Sequence, residues 1–326
     1  GGAGANFSNA SAADTATAAE LHHRHGTTTL IASLVTVGPA ELLRQVTEWA
    51  GYVRSGLIAG IHLEGPWLAA ARCGAHDPTL MRDPDPDELD RLLTASGEAI
   101  RMITLAPERA GALEAIRRIV GAGAVAAVGH TEATYEQTRA AIEAGATVAT
   151  HLFNAMRPID HREPGPVIAL LEDDRVTVEL ITDGVHIAPA LYRHVCRSAG
   201  AGRVSLVTDA ISAAGMGDGG YRLGPVEVDV VDGVARVAGT PTIAGSTATM
   251  DRQFRFAVTQ SGLPRDQALM AAVHQASVNP ARALGLPAGL TTGASADLVV
   301  LDVDLAVRGV LRQGYWVAKL EDMEEQ

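Results

Sequence analysis

The sequence predicts an α/β fold: a TIM-like (β/α)8 barrel with a small β-sandwich domain beside it. Three observations predict it. Short apolar, β-branched runs alternate with helical patterns over the first two thirds of the chain, and such alternation implies parallel strands. Nearly every run ends in a polar residue: Glu64, His130, His151, Asp183, Asp209. In a barrel these strand ends converge on one mouth, whereas an open doubly wound sheet gathers its polar residues at one switch point. After Asp209 the pattern changes to a hairpin, helices and a β-rich end.

The strand runs are 27–36, 57–64, 100–105, 124–129, 147–151, 176–182 and 204–209. Between them lie helical patterns at 39–54, 87–96, 111–120, 134–144, 165–172 and 189–199. Leu42, Leu43, Val46 and Trp49 show the helical apolar spacing, and Pro39 and Pro189 suit the first helical position. Strands at 221–230 and 234–237 flank Asp232-Gly233, a strong hairpin signal. Helices are expected at 246–261, 265–275 and 279–284, then β-structure over 289–314. The barrel is assigned to 1–287, the C-terminal part of the small β-domain to 288–320, and a frayed acidic tail to 321–326.

The 326 residues suit a barrel plus a minor domain. Hydrophobic residues make up 47% and aromatics 4%, so the core must be aliphatic. A net charge of −12 argues against nucleic acid or anionic membrane as partner. It leaves room for a phosphorylated ligand, which one local Arg can bind. Two cysteines, Cys73 and Cys196, make no disulfide framework, and the expected location is the cytoplasm. No apolar run reaches the length of a membrane span. The first ten residues lack a basic start, an apolar core and a Met. They are read as no secretory signal and as a truncated, processed or incompletely given end. Lys319 is the only lysine among 26 basic residues, which argues against Schiff-base chemistry and against a carbamylated lysine in the barrel.

Glu64 closes Gly60-Ile61-His62-Leu63-Glu64. A carboxylate after a buried strand needs compensation, by a metal or by a structural ion pair. His130 and His151 end later strands. One strand-end histidine alone is more often structural. One Glu with two His suits Zn²⁺, or another borderline divalent ion, with a position left open for water. Asp209 is either a general base at the barrel mouth or an N-cap for a helix starting at Ala210. His186 is placed to polarise a substrate carbonyl, or is a surface loop residue. His62 lies two residues before Glu64, one layer deeper, and reads as structural. His22, His23 and His25 sit at a helix end and read as dipole-favoured, not as a metal site.

These residues stand inside longer strings: His62-Leu63-Glu64-Gly65-Pro66-Trp67, Thr104-Leu105-Ala106-Pro107-Glu108, Gly129-His130-Thr131, Thr150-His151-Leu152-Phe153-Asn154-Ala155-Met156, Asp183-Gly184-Val185-His186 and Val207-Thr208-Asp209-Ala210. In that order they resemble the N-acetylglucosamine-6-phosphate deacetylases of the amidohydrolase superfamily, from Gly1 to about Trp316. The segment 293–302 looks like the superfamily's C-terminal strand returning to the small β-domain.

The resemblance implies one divalent metal per subunit, expected to be Zn²⁺, on Glu64, His130 and His151, with Asp209 as catalytic acid/base. It implies substrate contacts at Ala75, His76, Asn154, Ala155, His186, Ile243, Ala244 and Gly245, with Arg162 on the phosphate. It also implies a homodimer that deacetylates N-acetyl-D-glucosamine 6-phosphate in amino-sugar catabolism and cell-wall precursor recycling. The superfamily's His-x-His pair and the first β-domain strands would lie before residue 1, and a second metal would depend on them. The alternatives are another amidohydrolase, acting on a cyclic amide or an amino-purine or pyrimidine, and a catalytically inactive barrel scaffold.

Overall fold

The computed structural model describes residues 1–7 and 11–319. The tail expected at 321–326 lies outside the described residues. After helix α1 (Ala12–Arg24), strands and helices alternate: β1 (Ile31–Leu34), α2 (Pro39–Arg54), β2 (Gly60–Glu64), α3 (Pro86–Ser96), β3 (Ile100–Leu105), α4 (Ala112–Gly121) and β4 (Val125–Val128). The series continues through α5 (Tyr135–Ala144), β5 (Val148–Ala149), α6 (Gly165–Glu172), β6 (Thr177–Leu180), α7 (Pro189–Ala199) and β7 (Val204–Leu206). Pro39 and Pro189 stand in the first helical turn, as expected. Thr134 and Gln137 form a capping box at the start of α5, which satisfies donors the first turn leaves open.

The seven strands form one parallel sheet in sequence order, β1 to β7. Side chains alternate across it. Ala32, Leu34, Ile61, Leu63, Val178 and Leu180 join the aliphatic core with the helices. Their neighbours Ser33, His62, Glu64, Thr177, Glu179 and Ser205 line a single cavity. Both edge strands contribute to that cavity, so the sheet curls around it as a barrel wall. Seven of the expected eight strands are present, and no pairing closes β1 onto β7 among the described residues.

Beyond β7, Ala210 bridges Ser246 in parallel. A second sheet of β8 (Gly219–Leu223), β9 (Val226–Val231) and β10 (Val234–Val237) is antiparallel. The single strand expected over 221–230 is therefore two. Gly224, at φ 56°, makes the turn, and Pro225 has no N–H to continue a ladder. This sheet packs Val228, Val230 and Ala235 on Ile211 and Ala244, with Ala75 against them. Helices α8 (Met250–Gln260), α9 (Arg265–Val273) and α10 (Asn279–Ala283) follow. The first starts later than expected, because Ser246 is held in a parallel bridge with Ala210 and Thr249, at φ −93° and ψ 163°, is extended and forms the N-cap. Strands β11 (Leu298–Leu301), β12 (Val307–Arg312) and β13 (Tyr315–Ala318) make a third, antiparallel sheet. Helix α1 packs against β12 and β13.

Candidate active site

The mouth of the barrel gathers Glu64, His76, His130, His151, His186 and Asp209 around one cavity of about 1250 Å³. Glu64 ends β2, and the residue after it must turn sharply. Gly65 does so at φ 79°, where a Cβ would come within 2.6 Å of Thr36 Oγ1. His130, His151 and Asp209 follow their strands at φ 48°, 29° and 47°. Left-handed backbone at a non-glycine residue costs about 1–3 kcal/mol, so surrounding contacts must hold all three. No helix begins at Ala210, which pairs with Ser246 instead, so an N-cap role for Asp209 is excluded.

Glu64 is the hub. Its Oε1 lies 2.9 Å from His151 Nε2 and 3.2 Å from His130 Nε2, and its Oε2 lies 3.4 Å from His76 Nε2. Burial favours the neutral acid, but the three imidazoles around it, His130, His151 and His76, overcome that and hold the carboxyl well below its ordinary range. Burial likewise opposes charge on His151. Its bond to Glu64 and the fields of Glu64, Asp209 and Glu179 win, pushing it up to about 9. His130 is lowered, by burial first and then by repulsion from His76 and His151.

The donor set fits a divalent metal. His130 Nδ1 donates to Arg72 O at 2.8 Å, so its neutral ring turns a lone pair at Nε2 toward a carboxylate oxygen. Two lone pairs facing across 3.2 Å repel unless a cation joins them. His76 differs. Its Nδ1 accepts from the Thr36 N–H at 3.3 Å, so Nε2 carries the proton and donates to Glu64. Glu64, His76 and His130 present possible ligand atoms that all lie within 4.8 Å of one another. Glu64 and His130 belong to that group as ligands, His76 sits beside them as a hydrogen-bond donor, and His151, 2.9 Å from Glu64 with its Nδ1 unpartnered, is the remaining imidazole within reach.

One prediction follows from His151. It holds a proton below about pH 9 and must release it to ligate. Apparent metal affinity should therefore rise about tenfold per pH unit between about pH 7 and about pH 8. Titration calorimetry in buffers of different ionisation enthalpy reads the released proton. A pH-independent affinity would remove His151 from the ligand set.

Asp209 is pushed up to about 6, by burial first and then by repulsion from Glu64, with His151, His186 and His76 pulling the other way. Gly245 stands against it. At φ 113°, a Cβ there would lie 3.0 Å from Asp209 O and 2.7 Å from Ile211 Cγ2. His186 donates from Nδ1 to Asp183 Oδ2 at 2.7 Å, leaving Nε2 for a ligand. Burial raises Asp183, but this bond and the backbone N–H groups of His186 and Val185 lower it further than burial lifts it.

The structure brings Ala75, His76, Asn154, Ala155, His186, Ile243, Ala244 and Gly245 to the cavity. Asn154 turns its side chain back onto His151 O at 3.2 Å. Arg162 is exposed and does not line the cavity. If it binds phosphate from a partner subunit, Arg162→Ala should chiefly raise KM, and mixed dimers should show the defect. An unchanged kcat/KM would remove it from the site.

His62 is structural, as expected. Ser33 Oγ and Thr104 Oγ1 occupy its two nitrogens at 2.9 and 2.8 Å, and burial lowers it to about 4. His22, His23 and His25 lie at the C-terminal end of α1. Glu179 was not foreseen. It points into the barrel from β6, and burial first, then Glu64 and Asp209, push it up to about 7. Strand alternation carried the signal: a carboxylate between inward Thr177 and the loop, with Val178 and Leu180 facing the helices.

A model of the amidohydrolase family matches residues 6–325. The chain is 40% identical over 291 residues to N-acetylgalactosamine-6-phosphate deacetylase of Escherichia coli, covering 88% of this chain and 75% of that protein. It is 38% identical over 331 residues to human N-acetylglucosamine-6-phosphate deacetylase, covering 96% and 80%. Among solved structures, it is 68% identical to N-acetyl-D-glucosamine-6-phosphate deacetylase from Mycobacterium smegmatis. The TM-score is 0.97, over 98% of this chain and 84% of that one. That structure is of an aspartate-to-alanine variant in complex with N-acetyl-D-glucosamine-6-phosphate.

Proposed function

This chain belongs to the amidohydrolase family, and from that premise we propose that it hydrolyses the acetamide of N-acetyl-D-glucosamine 6-phosphate to acetate and D-glucosamine 6-phosphate. The observation that carries this reading is the 68% identity, over 98% of the chain, to a deacetylase solved with that sugar phosphate. The strand-end cluster around Glu64 supports it with the chemistry the reaction needs.

A divalent metal held by Glu64, His130 and His151, Zn²⁺ by the character of the donors, would supply Lewis acidity to the water and the acetamide carbonyl. Asp209, with its carboxyl at about 6, takes a proton from the attacking water and passes it to the leaving amine. Asp183 holds His186 by Nδ1, so the Nε2 side of the ring is left to face the acetamide oxygen as charge develops there. His76 holds Glu64 in orientation. Ala75, Ile243, Ala244 and Gly245 shape the sugar pocket, and Asn154 and Ala155 face the phosphate by backbone. Arg162 binds that phosphate bidentately, from its own subunit or its partner in a homodimer.

In this reading residues 1–287 form the catalytic barrel, 288–320 belong to the small β-domain, and the enzyme works in the cytoplasm. No helix among the described residues is long and apolar enough to cross a membrane.

The test is acetate release by the metal-loaded protein. Acetate and free amine should appear in equal amounts from N-acetyl-D-glucosamine 6-phosphate, with a much lower kcat/KM for the sugar lacking phosphate. Equal efficiency on both would point to an amidohydrolase of other specificity. The 40% identity to a galactosamine-type deacetylase makes N-acetyl-D-galactosamine 6-phosphate the second substrate to compare.

A further inference from the structure

We propose that Glu108 is a positioning residue that clamps the loop carrying His130 to the loop after β3, holding in place Thr131, whose backbone pairs with the loop carrying His151, Asn154 and Ala155. The proposal rests on the metal reading above. Glu108 lies just beyond β3, at the end of Leu105-Ala106-Pro107-Glu108, and the mechanism gives it no role. Its two carboxylate oxygens are spent on the two residues after His130. Oε2 accepts the Thr131 hydroxyl at 2.6 Å, and Oε1 accepts the Glu132 backbone N–H at 2.6 Å. Both are short, as charge-assisted bonds are.

Thr131 is fully buried, and its remaining polar groups are all engaged. Its N–H donates to Ala155 O at 3.0 Å, and its C=O accepts from the Arg157 N–H at 2.9 Å. Its hydroxyl also accepts the Ala133 N–H at 2.9 Å. One residue therefore joins the loops after β3, β4 and β5. His130, immediately before it, sits at φ 48°, a conformation that persists only when its surroundings over-determine it. On its other side His130 is held by the loop after β2, where its C=O accepts from Ala69 N at 2.9 Å and its ring donates to Arg72 O. Without Glu108, the strained turn loses its anchor to the loop after β3, and Nε2 is less firmly fixed toward Glu64.

The test uses cobalt(II), added to the full chain after metal removal, with the visible absorption of the ion as readout. Glu108→Ala should raise the cobalt dissociation constant about 10- to 100-fold, the usual cost of losing a group that orients a ligand. It should also alter the cobalt spectrum while the metal-free protein stays folded. Glu108→Gln keeps an acceptor for the Glu132 N–H and a donor for the Thr131 oxygen, and should restore most of the affinity. Thr131→Val, close in shape, should weaken cobalt binding in the same direction. A folded Glu108→Ala protein with wild-type cobalt affinity would overturn the clamp. If that variant does not fold, wild-type affinity in Thr131→Val overturns it instead. Full cobalt retention in His130→Ala would overturn the metal reading itself, which separates the two failures.

Discussion

Asp209→Asn should lower kcat by at least about a hundredfold, the usual scale for a general acid–base group, while substrate still binds. Asn is nearly isosteric and tolerates the left-handed backbone that Asp209 adopts. The Ser246 N–H bonded to Asp209 O depends on backbone alone, so the fold should survive. What is lost is the ability to accept a proton. The wild-type carboxyl stands at about 6 because burial and the Glu64 charge both oppose its ionisation. That leaves it ionised at neutral pH yet basic enough to take a proton and return it. Steady-state kinetics with a parallel binding measurement decides the matter. Near-normal turnover in a folded, metal-loaded variant would remove Asp209 from the proton path.

His130→Ala should remove metal and activity together. His130 is the imidazole whose tautomer is fixed, by its Nδ1 bond to Arg72 O, so that Nε2 offers a lone pair beside Glu64. Deleting a ligand should cost more than the about 100-fold in affinity that follows loss of a supporting group. Elemental analysis after dialysis reads it directly. His76→Ala is the control. His76 donates to Glu64 rather than presenting a lone pair, so that variant should keep its metal. Metal retained without His130 but lost without His76 would reverse the assignment.

Much of this arrangement was legible in the sequence, for identifiable reasons. Strand ends are marked by abrupt passage from apolar, β-branched runs to Glu64, His130, His151 or Asp209, and the barrel brings such ends together. The helix starts at Pro39 and Pro189 were legible because proline lacks the N–H that the first turn leaves unused. Gly224-Pro225 hid a turn inside what looked like one strand, because apolar alternation continued on both sides of it. Glu179 was missed because it sits inside a strand rather than at its end. The pairing of Glu108 with Thr131 joins loops that only the barrel makes adjacent. Arg162 matched by string alone, and its backbone runs outside the cavity of a single subunit.

The most direct test of the account is a crystal structure of Asp209→Asn grown with Zn²⁺ and N-acetyl-D-glucosamine 6-phosphate, with anomalous scattering recorded at the zinc edge. The account predicts one peak bonded to Glu64, His130 and His151. It also predicts the acetamide carbon between that ion and residue 209, with His186 on the acetamide oxygen. A peak on other ligands, or a sugar bound with its acetyl group turned away from residue 209, would contradict it.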